Sequence, residues 1–266
     1  MKEKLFIIKI GGNVINDPTL LKNFLSDFYK IKGKKILIHG GGKLLDQLAA
    51  SLNIPQNMIN GRRVTDAESL KLASMVYAGY INKNLVSQLQ LHGCNAIGLT
   101  GADGNILKAK KRNSEPIDFG FVGDCSIEDV NQSLLKDLLH SNLCPVFCSL
   151  THDGQGQLLN TNADTITSVL AMAMKNHFDV DVIYCFEKSG LLRDKENEHS
   201  RIEKINRHEI HSMLQESLIS DGMIPKIQNI AALLDAGIST VRLVHAAEIL
   251  AAIQNSKNIG TLFYAA

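Results

Sequence analysis

The sequence predicts an α/β protein, a three-layer αβα sandwich with a mainly parallel central sheet and two lobes. Seven short apolar runs alternate with segments of helical spacing along the whole chain, which is typical of strands joined by crossover helices. The runs are apolar throughout, as in parallel strands covered on both faces. At 266 residues, 45% of them apolar, the chain can fill one large α/β unit or two lobes sharing a sheet. The predicted strands are 5–10, 35–39, 95–99, 144–149, 181–186, 240–245 and 260–264.

Capping residues predict where helices begin between these strands. Asp17 and Pro18 have the properties of an N-cap and a first helical residue, and leucines and phenylalanines follow at helical spacing. Thr65 with Glu68 forms a capping-box pattern. We therefore expect a second, long helix that begins after Thr65 and runs to about Leu91.

The balance of charges excludes several classes of partner. The net charge is +1 and the pI is near 7.7, so no overall field would recruit nucleic acid or an anionic membrane. The segment 103–123 contains the densest basic run and a Gly-Asn pair, and we interpret it as β-hairpins at the edge of the sheet with a solvated charged face. The two chemistries that need strong positive charge, nucleic-acid binding and membrane-surface binding, are not expected.

Targeting signals and cysteine usage predict a cytoplasmic protein. The sequence has no apolar run of the roughly 20 residues that a transmembrane helix requires. Lys9 and two glycines interrupt the first apolar run before it could serve as an export signal. Five cysteines without a C-x-x-C pair predict reduced thiols, and the scattered histidines predict no metal site.

Three consecutive glycines, Gly40 to Gly42, follow an apolar strand in the stretch ILIHGGGKLL. A P-loop would need Ser or Thr after the lysine, where the chain has Leu44. A dinucleotide fingerprint starting at Gly40 would need glycine or alanine where Leu45 stands. Two interpretations remain, a cradle whose backbone N–H groups hold an anion and a merely flexible turn.

Lys9 interrupts a strand that is otherwise apolar and is followed at once by Gly11 and Gly12. A lysine at a strand end can extend its ammonium group to water, which requires no function. However, the carboxyl ends of parallel strands are where α/β sheets bind ligands. The two glycine turns after the first two strands would then face one crevice.

Two helix starts carry further candidate residues. Asn162 is a plausible N-cap with Asp164 in the first turn, which helix capping alone could explain, while Asn160 before it could donate an amide to a carboxylate. Pro225 suits a first helical turn and places Lys226 near the positive end of a helix dipole. A cation there is either a solvated surface charge or the partner of a bound anion.

Seven motifs occur in order over nearly the whole chain: KIGGN, HGGGKLLD, NGRRVTDAE, LTGADG, GFVGD, LLNTNADT and SDGMIPK. In these motifs the chain resembles the amino acid kinase family, in particular its members that act on N-acylated glutamate. The resemblance implies transfer of the γ-phosphoryl group of ATP to the γ-carboxylate of N-acetyl-L-glutamate, or of N-succinyl-L-glutamate, in arginine biosynthesis. It also implies that Mg²⁺ arrives with ATP and that the protein has no dedicated metal cage.

The resemblance implies a role for each matching residue. Lys9 and Lys226 would flank the transferred phosphoryl group, and Asp164 would orient both lysines. Arg63 and Asn160 would hold the α-carboxylate of the substrate. The implied backbone donors are Gly11 and Gly12 for the nucleotide phosphates and Gly41 and Gly42 for the substrate and the group moving onto it.

The resemblance also implies an organisation for the chain. Residues 1–176 would form the lobe for acyl-glutamate binding and dimerisation, and residues 177–266 the ATP-binding lobe. The chain begins almost directly on its first strand, without the N-terminal helix that joins dimers into arginine-inhibited hexamers in this family. We therefore expect a homodimer that is insensitive to arginine.

One segment departs from the family pattern, at Phe186, Glu187 and Lys188. The sequence therefore leaves open how the protein binds the adenosine of ATP.

The residues bear differently on three alternative functions. The acceptor is open, because the family resemblance also covers kinases of another acylated amino acid, such as carrier-linked aminoadipate. The residues expected to line the acyl pocket, in the 120–125 loop, have directions that the sequence does not give. A non-catalytic nucleotide- or amino-acid-binding module would be expected to have lost one of Lys9, Asp164 and Lys226, and all are present. An NAD-dependent dehydrogenase fails on the spacing of the glycine fingerprint.

Overall fold

The structure is a computed structural model that describes residues 2–59, 62–113, 115–194, 197–215, 223–254 and 259–265. Parts of two motifs, at 60–61 and 220–222, lie outside the described residues. In chain order the strands are β1 (Lys4–Ile10), β2 (Lys34–His39), β3 (Asn57–Ile59), β4 (Arg62–Val64), β5 (Ala96–Leu99), β6 (Lys110–Lys111), β7 (Gly123–Asp124), β8 (Cys144–Phe147), β9 (Leu150–His152), β10 (Leu158–Asn160), β11 (Asp179–Phe186), β12 (Lys204–Asn206), β13 (Thr240–His245) and β14 (Thr261–Tyr264). The α-helices are α1 (Gly12–Asn16), α2 (Pro18–Phe28), α3 (Gly42–Ser51), α4 (Ala67–Ala73), α5 (Asn82–Leu91), α6 (Gln132–His140), α7 (Ala163–Met174), α8 (Arg207–Gln215), α9 (Ile224–Asp235) and α10 (Ile249–Gln254).

One sheet of eight strands forms the centre, in the order β12-β14-β13-β11-β1-β2-β8-β5. Every neighbouring pair is parallel except β13 and β14. The seven predicted strands and the mainly parallel sheet are therefore confirmed. The sequence does not predict β12, because its three residues include a lysine and an asparagine and give no apolar run.

Helices cover both faces of this sheet, as the alternation of side chains along β1 requires. Leu5 and Ile7 pack into a core that also contains residues of α6, α7, α8 and α9. Phe6, Ile8 and Ile10 pack into the opposite core, with residues of α1, α2, α3, α4, α5 and α10. The three-layer αβα sandwich is therefore confirmed, and Lys9 lies on the same face of β1 as Leu5 and Ile7.

The predicted helix starts are partly right. Asp17 caps α2, because its Oδ1 accepts the N–H groups of Thr19 and Leu20 at 3.0 and 2.9 Å. The predicted capping box at Thr65 is wrong, since the cap of α4 is Asp66, whose Oδ1 accepts the Ser69 N–H at 2.7 Å. Thr65 points into the protein, where it is fully buried and accepts a hydrogen bond from Asn160.

The long helix predicted to end near Leu91 is confirmed, with one local change in winding. A π-helix, Ser74–Ile81, joins α4 to α5, and the helical run ends at Leu91. π-helical turns are rare and are frequently found at functional sites. This one brings a tyrosine, an isoleucine and an asparagine beside the glycine turn that follows β2.

The segment 103–123 does not lie at the edge of the main sheet, so that prediction is wrong. Its strand β6 pairs with β7 in a separate two-stranded sheet. Single bridges join Lys108 to His152 and Val122 to Asn160, which belong to the hairpin of β9 and β10. The segment is held by this hairpin, and it lines the cavity described below.

Two further observations concern the whole chain. Among the residues that the structure describes, no helix has both the length and the apolar character needed to cross a bilayer. All five cysteines are free thiols, and all except Cys125 are buried.

Candidate active site

A cavity of about 250 Å³ opens where β1 and β2 end and where α3 and α7 begin. This is the position at which open parallel sheets usually bind ligands. Two predicted site residues, Lys226 and Gly11, are not among the lining residues. Lys226 contacts Asp164, which lines the cavity, and Gly11 is the N-cap of α1, directly before the lining residue Gly12. The predicted site residues that line the cavity are Lys9, Gly12, Gly41, Gly42, Arg63, Asn160 and Asp164.

Asp164 lies between the two candidate lysines. Lys9 Nζ is 2.8 Å from its Oδ1, and Lys226 Nζ is 3.3 Å from its Oδ2. Lys9 comes from the end of β1, Asp164 from the first turn of α7 and Lys226 from the first turn of α9. The structure therefore brings together two ammonium groups that are 217 positions apart in the sequence, by the difference of their residue numbers.

Burial and mutual charge set the ionisation of this cluster. Burial alone would raise the pKa of Asp164, but Lys9 and Lys226 outweigh it and hold that pKa well below the ordinary value. Burial, with the nearby positive charge of Lys9, lowers the pKa of Lys226 to about 8. One carboxylate thus faces two cations, and the excess positive charge suits an anionic ligand.

The glycine turn after β2 is closed on one side by the π-helix. Gly41 is the N-cap of α3, and a Cβ on it would collide with Ile81 and lie 3.0 Å from the ring of Tyr77. Glycine therefore fits there, whereas any larger side chain would force Ile81 and Tyr77 to shift. The first N–H groups of a helix have no acceptor within that helix, so those of Gly41 and Gly42 are available on the cavity side. The anion-cradle interpretation fits this geometry better than a flexible turn.

Arg63 and Asn160, the candidate carboxylate ligands, are both held in place. The Arg63 side chain is buried, and it donates from Nη2 to Asp46 Oδ1 at 2.7 Å and from Nη1 to Gln56. These contacts use two of the five donors of a guanidinium group. Asn160 donates from Nδ2 to Thr65 Oγ1 at 3.0 Å. Both side chains line the cavity with donor capacity remaining.

The expected 120–125 loop lines the cavity through Val122, Gly123 and Asp124, whereas the sequence singles out neither Arg112 nor Tyr77. Arg112 donates from Nε to Asp124 Oδ2 at 2.8 Å and also from Nη2 to the same carboxylate. Both line the cavity, as do Arg62 and Tyr77. Burial and the positive charge of Arg112 lower the pKa of Arg62. No spacing in the sequence links these residues, because they come from three separate segments.

The comparison with protein families decides the class of this fold and site. The family model of the amino acid kinase family matches residues 4–245. The chain belongs to the amino acid kinase family.

Curated relatives and a solved structure agree with this assignment. The chain is 49% identical over 249 residues to the acetylglutamate kinase of Bacteroides fragilis, covering 94% of this chain and 95% of the relative. It is 47% identical over 260 residues to the acetylglutamate kinase of Cytophaga hutchinsonii, covering 97% and 98%. The crystal structure of smu.665 from Streptococcus mutans superposes with a TM-score of 0.77 at 26% identity, covering 98% of each chain.

Membership of the amino acid kinase family makes this chain a kinase and implies that it uses ATP. The site fits a phosphate group, because it combines two partly buried cations with backbone N–H groups at the start of α3. Among the described residues, no group of three or more His, Cys, Asp or Glu side chains is placed to hold a metal ion.

The segment that departs from the family pattern lies near this kinase site. Glu187 accepts a hydrogen bond from Asn13 Nδ2, and its negative charge favours the charged form of Lys226. Lys188 donates to Glu198 at 2.8 Å. Glu187 therefore belongs electrostatically to the lysine cluster, while Lys188 is directed to a neighbouring turn.

Proposed function

We propose that this amino acid kinase transfers the γ-phosphoryl group of ATP to the γ-carboxylate of N-acetyl-L-glutamate, in arginine biosynthesis. Relatives that are 47–49% identical over more than nine-tenths of the chain are acetylglutamate kinases. The observation that carries the proposal is the contact of both Lys9 and Lys226 with Asp164 beside a cradle of free backbone amides.

The reaction forms one bond and breaks one. An oxygen of the γ-carboxylate attacks the γ-phosphorus of ATP, the bond to the β,γ-bridging oxygen breaks, and ADP leaves with that electron pair. The products are ADP and an acyl phosphate. Such a transfer asks the protein mainly for positioning and for stabilisation of charge on the moving group.

The residues divide these tasks. Lys9 and Lys226 neutralise the phosphoryl oxygens, and Asp164 holds the two ammonium groups at one place. Gly41 and Gly42 donate backbone N–H groups to the acceptor carboxylate and the group moving onto it, and a preorganised donor of this kind is worth roughly 3–4 kcal/mol in a transition state. The nucleotide phosphates are held by the two lysines together with Gly11 and Gly12, at the start of α1.

Arg63 and Asn160 hold the α-carboxylate of the substrate. The planar fork of an arginine can bind both oxygens of a carboxylate. The contact with Asp46 fixes the guanidinium group of Arg63 at the cavity wall, next to Gly42. In the proposed arrangement the γ-carboxylate then points to the glycine cradle, and residues 1–176 form the acyl-glutamate lobe.

Residues 177–266 form the nucleotide lobe in this proposal. Lys226 lies in the first turn of α9, so one helix of that lobe would reach the phosphates directly. Mg²⁺ would enter with ATP and would supply further neutralisation of the phosphate charge, with no protein cage of its own.

The second candidate acceptor is N-succinyl-L-glutamate, which carries one more carboxylate. Arg62, beside Arg112 at the cavity wall, is the observation that favours it, because a further guanidinium there suits the extra carboxylate. Side-by-side steady-state kinetics with the acetyl and succinyl compounds tests the proposal. We expect ATP-dependent acyl phosphate formation with a higher kcat/KM on the acetyl compound. Inactivity on both compounds would reject the assignment, and a clear preference for the succinyl compound would replace the acceptor.

A non-catalytic binding module is separated from a kinase by Lys226→Ala. We expect turnover to fall by at least a hundredfold while ATP still binds, with Lys30→Ala as the control because Lys30 is an exposed lysine paired with Asp27. Unchanged turnover in Lys226→Ala would refute the role given to this residue.

We also propose that the kinase is a cytoplasmic homodimer. Met75, Tyr80 and Leu91 are large apolar side chains that are more than half exposed along the helical run from α4 to α5. The neighbouring strand β5 is at an edge of the sheet. An exposed apolar helix face beside an open edge suits a second copy of the chain. Sedimentation equilibrium tests this: a monomer, or an assembly that survives Tyr80→Glu unchanged, would contradict it.

A further inference from the structure

His39, the last residue of β2, is a fully buried histidine that stands directly before the glycine cradle. Its Nδ1 lies 2.8 Å from the carbonyl oxygen of Gly40. Its Nε2 lies 3.1 Å from Nδ2 of Asn82, the first residue of α5 after the π-helix. Both ring nitrogens therefore have a partner, and neither partner is a ligand.

These partners permit only one tautomer. The Gly40 oxygen can only accept, so Nδ1 must carry the hydrogen, and the Asn82 amide donates, so Nε2 must have its lone pair free. The orientation of the amide is fixed independently: Nδ2 also donates to the Val146 carbonyl at 2.9 Å, and Oδ1 accepts from Lys83 at 3.2 Å. A flipped amide would place its oxygen against a carbonyl oxygen.

Burial supports the same protonation state, since it lowers the pKa of His39 to about 4, with a further contribution from the charge of Lys83. The imidazole is thus neutral at physiological pH, and its one hydrogen points to Gly40.

The direction of the Gly40 carbonyl determines the direction of the next amide. In a planar trans peptide the C=O and the N–H point to opposite sides. With the Gly40 oxygen held against His39 in the protein interior, the N–H of Gly41 points away from the imidazole, on the side where Gly41 lines the cavity. Ser149 fixes the preceding peptide in the same way, donating from Oγ to the His39 carbonyl at 3.0 Å.

We propose that His39 is a positioning residue: held as its Nδ1–H tautomer by Asn82, it pins the Gly40 carbonyl and thereby aims the Gly41 N–H at the reacting carboxylate and phosphoryl group. The inference rests on the proposed kinase reaction, and it adds a residue that touches neither substrate. The π-helix contributes twice, because Ile81 packs on Gly41 and Asn82 directly follows it.

Two substitutions separate the two hydrogen bonds. In His39→Asn the side-chain amide nitrogen can take the place of Nδ1 and keep the bond to Gly40. In His39→Gln the amide group can reach only the place of Nε2, so the bond to Asn82 is kept and that to Gly40 is lost. We expect the asparagine variant to retain kcat within about threefold and the glutamine variant to lose on the order of ten- to a hundredfold in kcat, with KM changed less than threefold.

Asparagine removes two side-chain heavy atoms of histidine and glutamine only one, so a merely structural role would harm the asparagine variant more, which is the reverse of the expected order. Equal losses of kcat, a change confined to KM, or full kcat in a folded glutamine variant would overturn the proposal. Inactivity of the unaltered enzyme on both acyl-glutamates would instead overturn the proposed function, and this proposal with it.

A measurement on the unaltered protein tests the tautomer of His39 even if neither variant folds. Imidazole ¹⁵N chemical shifts distinguish a protonated from an unprotonated ring nitrogen. The His39 signals are those missing from the spectrum of the asparagine variant. If that variant does not fold, specific labelling and contacts to Asn82 assign them. We expect a protonated Nδ1 and an unprotonated Nε2 at pH 7. A protonated Nε2 would overturn the proposal.

Discussion

Asp164 shows how a single residue can serve helix geometry and a functional site together. An acidic residue in the first turn of α7 is favoured by the helix dipole, which accounts for its presence without any function. Its N-cap neighbour Asn162, however, accepts the free N–H groups of that turn, so the Asp164 side chain is released from capping. It is buried against Lys9 and Lys226 instead.

The lowered pKa of Lys226 makes the activity sensitive to alkaline pH. The phosphoryl group requires the charged ammonium, and this lysine has a pKa of about 8 in the folded, ligand-free protein. We therefore expect kcat/KM for ATP to be flat below about pH 8 and to fall about tenfold per unit above it. Lys226→Arg, although slower, should lack this alkaline limb, because arginine stays charged.

Stability should respond to the same group with the opposite sign. The unfolded chain holds the proton up to the ordinary lysine pKa of 10.5, and the folded protein releases it near 8. Between these values the unfolded state binds more protons, so the contribution of Lys226 to the free energy of unfolding rises with pH. A parallel fall of activity and stability from pH 8 to 10 would contradict the assignment of the limb to Lys226.

At the scale of elements, the π-helix and the glycine turn fit each other closely. A methyl group on Gly41 would meet Ile81 and Tyr77, both nearly fully buried. We expect Gly41→Ala to lower the free energy of unfolding by about 1–3 kcal/mol, as overpacking does, and to lower kcat as well. Gly11→Ala is the matched control for stability, since its added methyl group would have no atom within 4 Å. Urea denaturation measures both, and equal effects would contradict the packing argument.

The start of α4 gives a second prediction for an element. Asp66 caps this helix through the Ser69 N–H, and backbone hydrogen bonding lowers the pKa of its carboxyl group. Asp66→Ala should cost about 1 kcal/mol of stability and Asp66→Asn less, because asparagine keeps the accepting oxygen. The contribution of the carboxylate should be lost as pH falls through its lowered pKa. Thermal unfolding at pH 7 compares the variants, and an equal loss in both would contradict the role as a cap.

At the scale of the whole molecule, the sequence predicts the sheet well because apolar periodicity is a local signal. All seven predicted strands lie within two residues of the observed ones, and only short pieces such as β12 are missed. The cap at α4 is misplaced by one residue, because Thr65 and Asp66 are both good capping residues. The choice between them depends on Asn160, 95 positions further along the chain.

Apart from the residues that the family resemblance supplies, such as Arg63, the site could be predicted only where a local rule is broken. Lys9 in an apolar strand and Lys226 at a helix start are unusual in their own segments, so both can be found in the sequence. The link between His39 and Asn82, or between Arg112 and Asp124, breaks no local rule. These contacts depend on the topology of the sheet and on the π-turn, which periodicity does not reveal.

The central claim is that Lys9 and Lys226 act on one phosphoryl group. A crystal structure with MgADP, N-acetyl-L-glutamate and aluminium fluoride, which mimics the group in transfer, tests it most directly. The account predicts both Nζ atoms within about 3.2 Å of the fluoride ligands, with the Gly41 N–H directed at the same group. A fluoride group that contacts neither lysine, or only one while the other Nζ faces solvent, would contradict it.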